Sequence, residues 1–178
     1  DGHFVAFESG AASLVTGDMN GFTDIFVKDM QSGAVTRVSV DSNGVEANND
    51  SSSPSISGSG RYVAFVSDAT NLVANDVNEA VDVFVHDLQT GATVLASVGG
   101  NASSYDPSIS LDGNFVVFSS LASSLVSGDT NNVRDVFVYS VQTGQVSLAS
   151  VNSNGVQAEK GAVEPSISGD GRYVAFSS

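Results

Sequence analysis

Three copies of a D-x-N-x-x-x-D pattern place oxygen-bearing side chains at positions i, i+2 and i+6: Asp18/Asn20/Asp24, Asp76/Asn78/Asp82 and Asp129/Asn131/Asp135. Two carboxylates and an amide this close together can wrap around one hard cation. The backbone carbonyl of residue i+4 (Phe22, Ala80 or Val133) is a further candidate ligand. Ca²⁺ suits such a set, because it takes about 6–8 oxygens at about 2.3–2.6 Å in adaptable geometry, whereas Mg²⁺ demands a stricter octahedron and keeps more of its water. Zinc fits poorly: the chain has no cysteine, and its two histidines, His3 and His86, do not fall at equivalent places in the repeat. Plain turn chemistry is the competing reading. Asp and Asn bond their own backbone in turns, and duplication copies a turn as readily as a site. The residues between the oxygens have diverged (MNGFT, VNEAV, TNNVR) while the oxygens persist, and repulsion between two nearby aspartates favours a counter-ion. In the third copy Arg134, beside Asp135, either offers a guanidinium in place of a metal or points to solvent.

Other catalytic constellations are thin. Serines are plentiful, but no G-x-S-x-G elbow occurs. A Ser-His-Asp set would need His3 or His86, and His86 has Lys28 and Tyr139 as its repeat equivalents, so it reads as a variable edge position. Carboxylates at repeated positions read as architecture rather than as one acid/base pair for glycoside hydrolysis. No phosphate-binding Gly loop is present, and the expectation is a chain that is not an enzyme.

The elements that would position these loops follow from a long internal period. FVAF, YVAF, FVVF and YVAF segments end at Phe7, Phe65, Phe118 and Phe176, spaced 58, 53 and 58 residues apart. PSIS segments begin at Pro54, Pro107 and Pro165. Each unit reads as four strands: a small-residue strand A (PSIS), a strand B with alternating apolar positions (RYVAFVS), a strand C (DVFVHDL) and a strand D (ATVLASV). Gly turns close the A–B link (Gly60, Gly113, Gly171) and the C–D link (Gly33, Gly91, Gly144), where positive φ is cheap. Four-stranded antiparallel units of this length predict an all-β fold of β-propeller blades, with a solenoid of hairpins as the runner-up. The frame divides the chain into residues 1–53 (a blade lacking its inner strand), 54–106 and 107–164 (complete blades), and 165–178 (two strands of a further blade). That is about three and a half blades, an open arc unless another copy or a longer chain completes it.

The S-x-P-S-I-S-x-D-G-R-Y-V-A-F pattern, seen as SSPSISGSGRYVAF (Ser52–Phe65) and VEPSISGDGRYVAF (Val163–Phe176), resembles the Pro-Asp repeats of the TolB-like propellers over essentially the whole chain. The resemblance implies a β-propeller, commonly one exported from the bacterial cytoplasm, and hence an extracytoplasmic location (periplasmic, cell-surface or secreted). It implies no single function, since such blades serve both as binding scaffolds and as domains of larger enzymes.

Composition narrows the partners. Of the 178 residues, twenty are acidic and six basic, a formal charge of −14 that disfavours nucleic acid and anionic membranes. No apolar run approaches the roughly 20 residues that span a bilayer. Cations or a basic protein surface fit the charge, and so does simple solubility. In a propeller the B–C and D–A connections share one face, which collects Asp18, Asp76, Glu79, Asp129, Asp41, Glu46, Asp50, Asp106, Glu159 and Glu164. The expected function is therefore a Ca²⁺-stabilised, non-catalytic scaffold or interaction module that binds a protein or glycan on this face. It is completed by self-association (dimer slightly ahead of trimer) or by further blades. The alternative is the propeller portion of a larger hydrolase, a glycosidase or peptidase.

Overall fold

The structure is a computed structural model, and it describes residues 2–178. Its thirteen strands form four antiparallel sheets in which strand order follows chain order. The first sheet holds β1 (Phe4–Ser9), β2 (Asp24–Asp29) and β3 (Val35–Arg37). The second holds β4 (Ser51–Ile56), β5 (Tyr62–Ser67), β6 (Asp82–Asp87) and β7 (Thr93–Leu95). The third repeats it with β8 (Ser104–Ile109), β9 (Phe115–Ser120), β10 (Asp135–Ser140) and β11 (Val146–Leu148), and the fourth pairs β12 (Val163–Ile167) with β13 (Val174–Ser177). These are consecutive propeller blades in an open arc, without a helix among the described residues and so without one long and apolar enough to cross a membrane.

The core lies between blades. Val63 and Phe65 of β5 face Ile25, Val27 and Val38 of the first blade, whereas Ala64 and Val66 face Val116, Phe118 and Phe137 of the third. Strand B of a full blade is thus buried on both faces, and β5 is continuously buried from Val63 to Ser67. The alternation expected from sequence is confined to β1 and β13, each of which shows exposed positions between partly buried ones. Cross-strand phenylalanines stack inside each blade, Phe65 on Phe84 at 5.9 Å and Phe118 on Phe137 at 5.8 Å between centroids. Such pairs add about 0.5–1.5 kcal/mol beyond the area they bury.

Successive blades also meet through their A–B turns. The aromatic that opens strand B (Phe4, Tyr62, Phe115) lies under the turn glycine of the next blade (Gly60, Gly113, Gly171), so that a Cβ there would collide with the ring. The same glycines hold φ between 71° and 75°, which gives them two independent reasons to lack a side chain.

Strand A starts earlier than the PSIS pattern suggests, at Ser51, Ser104 and Val163. Each proline sits inside the strand at a register shift, and the residue before it has positive φ (Ser53, Asp106, Glu164). Strand A is the innermost strand, a sheet edge, where a residue without an N–H removes no ladder bond and a bulge is tolerated. His86 departs from its expected role as an edge residue. It lies in β6, between two other strands, and is only 4% exposed, with Nδ1 at 2.9 Å from the Thr93 hydroxyl. Burial pushes its pKa below the usual imidazole value, marking it as a core residue.

Candidate functional site

The D-x-N-x-x-x-D loops join strands B and C, and their backbones are built the same way three times. The amide of Asn20, Asn78 or Asn131 accepts the N–H of the residue two further on (Phe22, Ala80, Val133) at 2.8–3.1 Å. Its Nδ2 donates across to the D–A loop, to the carbonyl of Ala47, Gly100 or Ala158. The intervening residue is left-handed in each copy (Gly21, Glu79, Asn132). The asparagines therefore clamp the two loops of one face together. Phe22, Ala80 and Val133 enter the same turn through their N–H groups.

The last aspartate of each motif opens strand C and is wholly buried (Asp24, Asp82, Asp135). Its Oδ1 accepts a 2.5 Å hydrogen bond from a serine fifteen residues on, Ser39, Ser97 or Ser150. That hydroxyl in turn accepts the N–H of the residue after the aspartate at 3.1 Å (Ile25, Val83, Val136). The serines were not among the sequence candidates, although the signal existed: an S-V dipeptide written three times (Ser39-Val40, Ser97-Val98, Ser150-Val151) at fixed distance from the aspartate. Ser97→Ala strands a buried carboxylate and a buried N–H together, so it is expected to lower stability by about 2–4 kcal/mol. Urea unfolding followed by circular dichroism measures this, and a loss below about 1 kcal/mol would mean the hydroxyl is not bridging the two groups.

The second oxygens distinguish the loops. In the first, Arg37 Nη1 lies 3.3 Å from Asp18 Oδ1 and 3.5 Å from Asp24 Oδ2, while Nη2 reaches Glu46 at 2.5 Å. Asn20 Nδ2 adds a 3.0 Å bond to Asp24 Oδ2. Arg37 Nε has no partner. In the second loop both oxygens of Asp76 and Oδ2 of Asp82 are buried without a hydrogen-bond partner. In the third, Asp135 Oδ2 is likewise orphaned, and Asp129 accepts a 3.2 Å bond from Gln157 Nε2. Arg134 does not serve its neighbour Asp135; its guanidinium lies over the Tyr105 ring at 4.9 Å.

Electrostatics follow this geometry. Burial pushes Asp82 up to about 6, against the opposing pull of the Ser97 hydroxyl and the nearby Asn78 amide, and the Asp76 charge adds to the rise. Asp76 is raised by burial. Asp129 is raised by burial and by the Asp135 charge, with Gln157 acting against both. Asp18 is raised by burial and by Asp24, with the Arg37 guanidinium pulling it down. Among the described residues no three His, Asp or Glu side chains converge as a metal cluster would; the second and third loops each bring together a pair of aspartates, and in the first Glu46 joins the pair around the Arg37 guanidinium. The motif aspartates are thus turned inward. The exposed charge of the face comes from Asp50, Glu79, Asp106, Glu159 and Glu164, beside two projecting apolar tips, Met19 and Val77 (85% and 84% exposed).

No protein-family model and no curated protein sequence matches the chain. Solved structures do. The chain is similar to TolB from Acinetobacter baumannii (TM-score 0.51, 16% identity, over 86% of this chain and 31% of that one). It is also similar to the tricorn protease (TM-score 0.61, 15% identity, 98% and 14%). A third match is the β-propeller domain of the trilobed protease from Pyrococcus furiosus, described as having an open velcro topology (TM-score 0.50, 15% identity, 82% and 38%). The fold is that of the TolB-like β-propellers, and the chain spans less than two fifths of each of these relatives.

Proposed function

We propose that this chain is a non-catalytic propeller scaffold whose B–C/D–A loop face binds a protein or glycan partner outside the cytoplasm, with Ca²⁺ stiffening the loops. The observation that supports this reading is the thrice-repeated clamp between the two loops of each blade, which fixes a rigid rim carrying exposed acids around the Met19 and Val77 tips. Apolar anchors ringed by charge are the usual makeup of a recognition surface, and the −14 charge favours a partner bearing amines or guanidiniums. Ring closure belongs to the same proposal: the free edges of β1 and β13 pair with a second copy or with further blades, and light scattering of this chain reads which.

The test is titration against an array of Lys/Arg-rich peptides and amino-sugar oligosaccharides. Saturable, salt-sensitive binding is expected. It should be lost in the variant Met19→Ser/Val77→Ser/Glu79→Gln, which changes only exposed side chains. Binding of equal strength by that variant would overturn the assignment of the surface. A second reading, the propeller part of a larger hydrolase, draws on the tricorn protease likeness over nearly the whole chain. A catalytic domain in the same reading frame would favour it.

A further inference from the structure

The three loops share one backbone, but only one of them carries its own cation. Arg37 pairs with Phe26 across β2–β3, and the residues in the same register of the next blades are Leu95, opposite Phe84, and Leu148, opposite Phe137. The guanidinium projects from that register position into the gap between Asp18 and Asp24, within 3.5 Å of both. A leucine cannot do this. In the second and third blades the same gap lies between Asp76 and Asp82 and between Asp129 and Asp135, and there the oxygens are left over: Asp76 Oδ1 and Oδ2, Asp82 Oδ2 and Asp135 Oδ2 are buried and without partners. Asp82 and Asp135 are entirely shielded from solvent, so water cannot satisfy those oxygens from outside.

A further substitution tracks the arginine. Glu46, which accepts the Met19 N–H and binds Arg37, is replaced in the third blade by Gln157, which accepts the Thr130 N–H in the same way. In the third blade, where the guanidinium is missing, a neutral glutamine thus stands in place of the glutamate that accompanied it, while each gap retains two aspartates. Two negative charges facing a shared buried gap call for a divalent ion with oxygen preference.

We propose that the second and third loops each hold one Ca²⁺, between Asp76 and Asp82 and between Asp129 and Asp135, in the place that Arg37 fills in the first loop. This sharpens the Ca²⁺ part of the function proposed above and is independent of the partner. The asparagines, engaged in clamping the loops, position the carboxylates, and backbone carbonyls and water complete the shell.

The test uses the whole chain, stripped with EDTA, and CaCl₂ alone as the titrant, so its outcome does not bear on partner binding. Calorimetry should give two ions per chain, with a rise in melting temperature that chelator reverses. Asp82→Asn and Asp135→Asn should each lower the count to one. If Asp82→Asn fails to fold, Asp76→Asn, altering a less buried loop residue, should also leave one. Arg37→Leu, which frees the first gap of its guanidinium, should raise the count to three. A count of zero overturns the proposal. So does three ions in the unaltered chain, or an unchanged count in the aspartate variants.

Discussion

Phe65→Ala should lower the unfolding free energy of this chain by about 3–5 kcal/mol, the range for removing a fully buried aromatic from a core that cannot collapse around the gap. Phe65 is completely shielded, stacks on Phe84, and belongs to the cluster that joins the first blade to the second through Ile25, Val27, Val38 and Leu72. The cavity would open in the interface between two blades rather than inside one sheet. In a repeat protein that interface is the term that couples neighbours, so the unfolding transition should broaden as well as shift. Phe7 occupies the same position in β1 and stacks on Phe26 at 5.7 Å, but it is only partly buried. Phe7→Ala should therefore cost about 1–2 kcal/mol, since less area leaves water when it folds. Guanidinium unfolding of the two variants side by side decides the matter: equal losses would show that the stacked pair, not the packing between blades, carries the stability.

Much of this arrangement was legible in the residues. The period located the strands, the Gly turns located the hairpins, and D-x-N-x-x-x-D located the B–C loops. Strand B misled in one respect. A periodicity of two marks a sheet with one wet face, but YVAFVS is pressed between two blades, and hydrophobic runs without alternation are what such a strand shows. His86 misled for a related reason, because its siblings Lys28 and Tyr139 suggest a permissive site while its own ring is buried against Thr93. The Ser39/Ser97/Ser150 hydroxyls were harder to find, since the repeated S-V dipeptide marks a fixed place in each unit but gains a role only when strand D folds back on strand C. Arg37 did leave a signal: a charge in a column whose other members, Leu95 and Leu148, are apolar. Its meaning depended on the third dimension, where that column points into the carboxylate gap.

That gap is the basis of the other large effect. Arg37→Leu, measured in chelator, is expected to cost about 3–5 kcal/mol, because removing one member of a buried charge cluster leaves the others uncompensated. The Arg37 side chain is 10% exposed, and it faces Asp18 at 4% and Asp24 at 0%, so solvent can do little to replace it. The pH dependence has a definite sign. Asp18 already sits above its ordinary value of 3.8 through burial and the Asp24 charge, with Arg37 holding it down. Without the guanidinium its folded pKa rises further, and a carboxylate with a raised folded pKa is destabilising once pH climbs past the unfolded value. The deficit should be small below about pH 4 and grow toward neutrality, because a protonated Asp18 does not repel its neighbours. The double variant Arg37→Leu/Glu46→Gln installs the third blade's own pair, Leu148 and Gln157, and should recover part of the loss by removing one of three facing carboxylates. A deficit that is the same at acid and neutral pH, and that the second substitution leaves untouched, would assign Arg37 to packing through its aliphatic stem and not to charge.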